Sequence, residues 1–304
     1  MVQRRPGVIP PKPGPPPRRV PRERILFRRG VAVLVIVAMV GFGAWLAYAA
    51  TRGSGSNAPA QVTSVAAPRP FRIIFPEGFT RREMAQRVTA VAAIAEHKRG
   101  VPPRISAKTY LAVTGGRAIP GFGKKARPLE GFLFPATYDF TAQTTSRQLV
   151  ANQLKAFQEN WSQLDLRYAR SKHLTPYDVL IIASMVEKET LAPDERRKVA
   201  AVIYNRLRAR MPLGIDATIR YGLNIPPTKS IRASQLQSDN PYNTRKFAGL
   251  PPTPIANPGL ASLQAAAHPA KVDYLYFVRK PDKVHHFFTS SFRDFTNYER
   301  AHGY

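Results

Sequence analysis

The segment Leu180-Ile-Ile-Ala-Ser-Met-Val-Glu-Lys-Glu-Thr190 decides the reading of the fold. Just ahead of it, Thr175-Pro-Tyr-Asp178 supplies a capping Thr, a Pro at the first helical position and an Asp at the third, so a helix opens there and should run to about Thr190. At about 100° per residue, Ile181, Ile182, Met185 and Val186 form one apolar face, and Glu189 falls at its centre. Glu187 points the opposite way and reads as a solvated surface charge. A carboxyl at the end of a buried stripe loses hydration, which raises its pKa and keeps it protonated long enough to act as a general acid. The same position equally suits a structural ion pair with Arg196, Arg197 or Arg206, and geometry alone does not choose.

Working outward, a second helix should start near Asp194, with Val199, Val202, Ile203 and Leu207 at helical spacing, and another should cover Ser146 to Trp161. Tyr274-Leu-Tyr-Phe-Val278 and His286-Phe-Phe-Thr289 read as two strands of a hairpin joined by Arg279 to Lys283. Earlier in the chain, Phe71-Arg-Ile-Ile-Phe75 predicts a short strand and Pro76-Glu-Gly78 a turn. Thr80-Arg-Arg-Glu83 is a capping box opening a helix through about Ala95. The fold class is α+β, with a small α/β subdomain over 71–128 and a mixed α+β domain over 129–304.

Residues 31–50 carry no charged side chain and are long enough to cross a bilayer as a helix. A cleaved signal peptide fits less well, because its apolar core is usually about seven to fifteen residues and its leading segment short. The first 29 residues hold nine Lys or Arg against Glu23, so the tail over 1–30 should stay cytoplasmic and the rest lie outside. Eight prolines before Arg22 make that tail a polyproline-like, disordered arm, and residues 51–70 read as a linker. The whole chain carries a net charge of +27, a field that attracts anionic lipid, nucleic acid or an acidic wall polymer. With no cysteine, disulfides, thiolate metal sites and a Cys nucleophile are excluded. No Gly-rich phosphate loop and no Gly-x-Ser-x-Gly elbow occurs. His268 before Pro269 reads as a packed, turn-capping residue, and scattered histidines without Asp or Cys partners make no metal site.

Ile182-Ala-Ser-Met-Val-Glu-Lys-Glu-Thr190 resembles the catalytic helix of the endolytic murein transglycosylases of the MltG, or YceG-like, type. Further blocks follow in that family's order: Leu129-Glu-Gly-Phe-Leu-Phe-Pro-Ala-Thr-Tyr138, Val202-Ile-Tyr-Asn-Arg-Leu207, Asp216-Ala-Thr218 with Tyr221-Gly222, Pro241-Tyr-Asn-Thr244, Gly249-Leu-Pro-Pro252, Pro254-Ile-Ala-Asn-Pro-Gly259 and Ala265-Ala-Ala-His-Pro-Ala270. The resemblance covers roughly residues 71–290. Gly214-Ile215 stands where the family has Gln-Ser or Gln-Thr, Ala136 replaces an Asp, and Asp294-Phe-Thr-Asn297 replaces a closing Glu-His-Asn. A linker takes the place of the family's LysM-like subdomain.

The resemblance implies cleavage of the bond from N-acetylmuramic acid to N-acetylglucosamine in peptidoglycan, with Glu189 first acid and then base, and a 1,6-anhydro end as product. One carboxyl suffices, because the sugar supplies its own nucleophile. By resemblance and side-chain type, Tyr242, Asn243 and Thr244 are candidates to hold the substrate, with Glu130, Asp216 and His286 lining the same cleft. No cofactor and no metal are implied. The implied partners are glycan strands and the cytoplasmic membrane, with peptidoglycan synthases as neighbours and no nucleic acid. A water-using muramidase with Asp216 across the cleft, and a wall-binding or divisome scaffold without turnover, are the alternatives. Nucleic-acid binding rests on charge alone.

Overall fold

The computed structural model describes residues 70–303. They begin with strand β1 (Phe71–Ile74), helices α1 (Arg81–Arg99) and α2 (Ala107–Val113), and strand β2 (Thr137–Phe140). Helices α3 (Ser146–Trp161), α4 (Arg167–Ser171) and α5 (Pro176–Glu189) follow, then a 3-10 turn over Pro193–Glu195 and α6 (Arg196–Arg208). After α7 (Asp216–Leu223), α8 (Ala233–Leu236) and α9 (Leu260–Ala267) come strands β3 (Tyr276–Arg279) and β4 (His286–Thr289) and a closing helix, α10 (Phe292–His302). The architecture is mixed α+β, with two separate antiparallel pairs, β1–β2 and β3–β4. The expected tail over 1–30, the span over 31–50 and nearly all of the 51–70 linker lie outside the described residues. No described helix is long and apolar enough to cross a membrane.

Helix α5 starts as its sequence dictates: Thr175 accepts the Asp178 N–H, and Asp178 accepts the Thr175 N–H at 2.8 Å, a reciprocal cap. Burial then departs from the single stripe. Every residue from Val179 to Val186 is buried, because α9, α6 and α7 pack around the helix. An all-apolar surface of this kind belongs to a helix inside the core. Even Ser184 is used internally, donating to the Ile181 carbonyl and accepting the Ile255 N–H. Only the last turn, with Glu187, Lys188 and Glu189, emerges.

The same crowding corrects the reading of Glu187 as a solvated charge. Its carboxylate accepts the Gly259 N–H at 3.0 Å, just ahead of α9. Glu77 lies beside it, so close to Gly259 that an added Cβ would stand 1.9 Å from the Glu77 carboxyl. Burial raises the Glu77 pKa, the charge of Glu187 raises it further, and Arg196 opposes both.

Strand β1 pairs with β2 in the register Phe71 with Phe140 through Ile74 with Thr137. That ladder joins the segment expected as a small subdomain to the segment expected as the second domain, and one hydrophobic core includes Ile73, Met84, Leu129, Leu133 and Leu180 from both. Asn257, fully buried, ties the two together with its side chain. Its Oδ1 accepts the N–H groups of Gly131 and Leu133, each at 2.9 Å, and its Nδ2 donates to the Phe79 carbonyl and to Glu130 Oε1, also at 2.9 Å. Gly131 has φ +88, and a Cβ there would stand 2.7 Å from Pro254. The loop over 129–133 can therefore reach Asn257 only with glycine at 131.

Replacing Asn257 by Ala leaves two buried N–H groups without a partner and removes one donor each from the Phe79 carbonyl and the buried Glu130 carboxyl. Urea unfolding of Asn257→Ala is expected to show a loss of roughly 2–5 kcal/mol. A loss under about 1 kcal/mol would mean that the three segments do not depend on this side chain.

Candidate active site

The emerging end of α5 opens into a groove of 1540 Å³ whose walls come from α1, α5, α7, the loop around Tyr242 and the β3–β4 hairpin with α10. Glu189 lines it. Its side chain is half-buried, and desolvation is the dominant influence, raising the carboxyl pKa above the usual range. The neighbouring charge of Asp216 also raises it, while Arg279, a hydrogen bond from the Ala217 N–H and Arg245 act in the other direction. Burial wins, as it does for carboxyls held against dense protein. Among the described residues, Glu189 makes no ion pair. The three arginines that could have locked it are engaged elsewhere. Arg197 donates to the His268 carbonyl, Arg206 to the carbonyls of Leu275, Pro212 and Leu213, and Arg196 lies near Glu77.

Helix α7 supplies the Ala217 N–H, and the residues after Pro241 hold α7 in place. Thr244 Oγ1 accepts the Ile215 N–H at 3.1 Å and meets Thr218 Oγ1 at 2.9 Å, and its carbonyl accepts the Gly214 N–H. Gly214 has φ +65, so the departure from the family's Gln at this position suits a left-handed turn leading into α7. Asn243 is fully buried and donates to the carbonyls of Leu236 and Ser238. The expectation that Asn243 and Thr244 touch substrate therefore meets a different geometry, in which both are walled in, Thr244 against the start of α7 and Asn243 against the loop over 236–238. Tyr242 does line the groove, with its hydroxyl 2.7 Å from Thr253 Oγ1.

Asp216, the first residue of α7, reaches the groove but is held by Arg245 at 2.6 Å. His286 also borders it, yet its main-chain N–H and Nδ1 both turn to the buried Glu195, with Nδ1 2.8 Å from Oε2. His268 is exposed rather than packed; its N–H caps α9 by donating to the Gln264 carbonyl, and its own carbonyl accepts from Arg197.

Glu130 is buried at the groove floor, where Arg81 N–H and Asn257 Nδ2 donate to Oε1 and the Tyr221 hydroxyl donates to Oε2 at 3.0 Å. Burial outweighs these three donors and the charge of Arg81 and pushes its pKa up to about 7. Tyr221 packs against Tyr242, ring centroids 5.1 Å apart, so the carboxyl supports the aromatic wall of the groove. Tyr221, Arg245, Arg279 and Asn257 were not singled out from the sequence. Tyr221 and Asn257 sat inside blocks quoted for the resemblance, whereas nothing in the local pattern marks either arginine.

A family model described as the YceG-like family matches residues 50–301. An endolytic murein transglycosylase of Bacillus subtilis is 34% identical over 231 residues, covering 72% of this chain and 62% of that protein. One of Streptococcus pneumoniae strain R6 is 34% identical over 224 residues, covering 68% of this chain and 40% of its own length. The chain thus spans less than two thirds of the length of these relatives. The crystal structure of a YceG-like protein from Listeria monocytogenes superposes with a TM-score of 0.61 at 28% identity, over 76% of each chain.

The Glu130 environment has a measurable consequence. Unfolded, its carboxyl releases the proton near 4.5; folded, it holds the proton until about 7. Between those values the folded state binds more protons, so raising the pH removes stability at up to about 1.4 kcal/mol per unit, and the loss is complete above the folded pKa. Glu130→Gln, which has no proton to release, should lack this slope. Unfolding free energies of the two proteins, compared from pH 4.5 to 7.5, should diverge by about 3 kcal/mol in the variant's favour. Parallel curves would show that Glu130 ionises normally.

Proposed function

The chain belongs to the YceG-like family, and on that premise we propose that it is a membrane-anchored endolytic peptidoglycan transglycosylase with Glu189 as its acid and base. The observation that carries this reading is a desolvated, unpaired carboxyl opening into a large groove, at the end of the helix that forms the core of the fold.

In the proposed reaction the Glu189 carboxyl donates its proton to the oxygen linking N-acetylmuramic acid to N-acetylglucosamine, and the bond from C1 to that oxygen breaks. The muramoyl 6-hydroxyl oxygen closes on C1, and the Glu189 carboxylate takes the hydroxyl proton. The strand leaves with a 1,6-anhydro end and the protein regains its starting protonation state. Positive charge develops at C1, and a surround of neutral hydrogen-bonding groups, here the Tyr242 side chain and Thr253, serves the sugar without quenching the acid. The engagement of Asp216 by Arg245 counts against Asp216 as the base that would activate water, and so supports an internal nucleophile. The apolar run over 31–50, with the basic tail before it, places the groove outside the cytoplasmic membrane in this proposal. Nascent glycan strands are then the substrate, and peptidoglycan synthases the neighbours.

Incubation of the protein with purified sacculi, followed by mass spectrometry, should give anhydro-muramoyl ends. Reducing muramoyl ends would establish a muramidase instead. Glu189→Gln should lower turnover by roughly 10²–10⁴-fold or more. An unaffected cellular function in that variant would favour a scaffold. Because the acid must start protonated and its pKa is raised, kcat/KM should fall only as pH climbs past the ordinary carboxylate range.

A further inference from the structure

The groove that holds Glu189 also holds guanidinium groups that no carboxylate pairs among the described residues. Three of the groove's guanidinium groups are those of Arg206 from α6, Arg245 from the loop beyond Thr244, and Arg279 at the end of β3. Arg245 is neutralised by Asp216. Arg206 is fixed by three backbone carbonyls and stacked over Tyr276, with no carboxylate in contact, and burial together with Arg245 lowers its pKa. Arg279, the cross-strand partner of His286, is exposed and has no ion pair or side-chain hydrogen bond among the described residues. It is nevertheless the strongest opposing charge felt by Glu189. An unpaired guanidinium on the wall of a groove is placed to meet an anion carried by whatever occupies the groove, and guanidinium matches the planar fork of a carboxylate.

The position of the cluster identifies which part of a substrate it would meet. If Glu189 protonates the oxygen on C1 of a muramoyl residue, the side chain of the same sugar leaves C3, two ring carbons away. That side chain is a lactyl ether, ending in a free carboxylate on peptide-free strands and continuing into a carboxylate-bearing stem otherwise. Resting on the transglycosylase reading, we infer that Arg279, with Arg206 lining the same groove, forms a subsite for a carboxylate on the muramoyl side chain and so selects the sugar at which the strand is cut. A neutral N-acetylglucosamine in that position offers nothing to these groups.

The test compares kcat/KM on four defined strands: peptide-free strands, the same strands with lactyl carboxylates capped as methylamides, stem-bearing strands, and stem-bearing strands with amidated stem carboxylates. Wild-type protein should prefer the carboxylate form over its capped partner by about tenfold or more. In Arg279→Gln the ratio should collapse towards one. Loss of preference on capping the lactyl group assigns the anion to the lactyl carboxylate, and loss only on amidating the stem assigns it to the stem; either supports the subsite. Equal rates on capped and uncapped strands together with equal rates on free and amidated stems, or an unchanged ratio in Arg279→Gln, would overturn it. Strand binding by Glu189→Gln, followed by fluorescence anisotropy with labelled strands, separates the two ideas. Turnover that survives in Glu189→Gln refutes the catalytic assignment, whereas an inactive Glu189→Gln that binds both strand types equally refutes only the subsite.

Discussion

One buried carboxamide sets the geometry on which the rest depends. Asn257 satisfies two N–H groups of the 131–133 loop, a carbonyl at Phe79 and one oxygen of Glu130, so three stretches distant in sequence meet at a single side chain. A carboxamide is suited to this place because it offers donors and acceptors without charge, and a charged group there would bear the full cost of burial. Remove the constraint and the floor under Tyr221 and Tyr242 has no fixed height, because Glu130 loses a donor and the loop carrying it loses both anchors.

The candidate acid is governed by two opposing influences from the same neighbourhood. The N-terminal turn of α7 presents the Ala217 N–H, which favours an ionised carboxylate, while dense packing favours the neutral acid. Packing prevails, yet the hydrogen bond still fixes where the carboxyl oxygen sits. Thr244, which holds the start of α7, bears on Glu189 through that helix, and Asn243 braces the loop beside it; neither lines the groove. Their bearing on any reaction is one of alignment, and it is exerted from inside closed protein.

The sequence made the helices easy to read where a cap and a repeat coincide. Thr175, Pro176 and Asp178 placed the start of α5, the spacing from Ile181 to Val186 placed Glu189 at its end, and α3 begins and ends where its pattern does. The hairpin was legible too, although β3 starts at Tyr276 instead of Tyr274 because Asn205 draws the Val272 and Tyr274 carbonyls to α6. What periodicity could not reveal were bonds between remote positions. Glu130 meets Asn257 across 127 residues and Glu195 meets His286 across 91, and neither spacing leaves a local trace. Glu187 misled for a related reason: a helix wheel knows only its own helix, and the Gly259 N–H arrives from another.

The two sides of the groove are built with unequal firmness. Glu189 and Glu130 stand on buried elements, whereas α10 buries none of its residues and is fastened to the hairpin by surface stacking, as where Phe287 and Tyr298 lie parallel at 4.3 Å. Asn205 and Arg206 grip the chain just ahead of β3, over Val272 to Leu275. Helix α10 therefore behaves as a flap on a hairpin that His286 ties to the buried Glu195: lifting the helix exposes little apolar surface, so its free energy of displacement is a small fraction of that needed to unfold the core. A polymer could then be admitted sideways, along its middle, without threading from a terminus and without disturbing the rigid half of the channel.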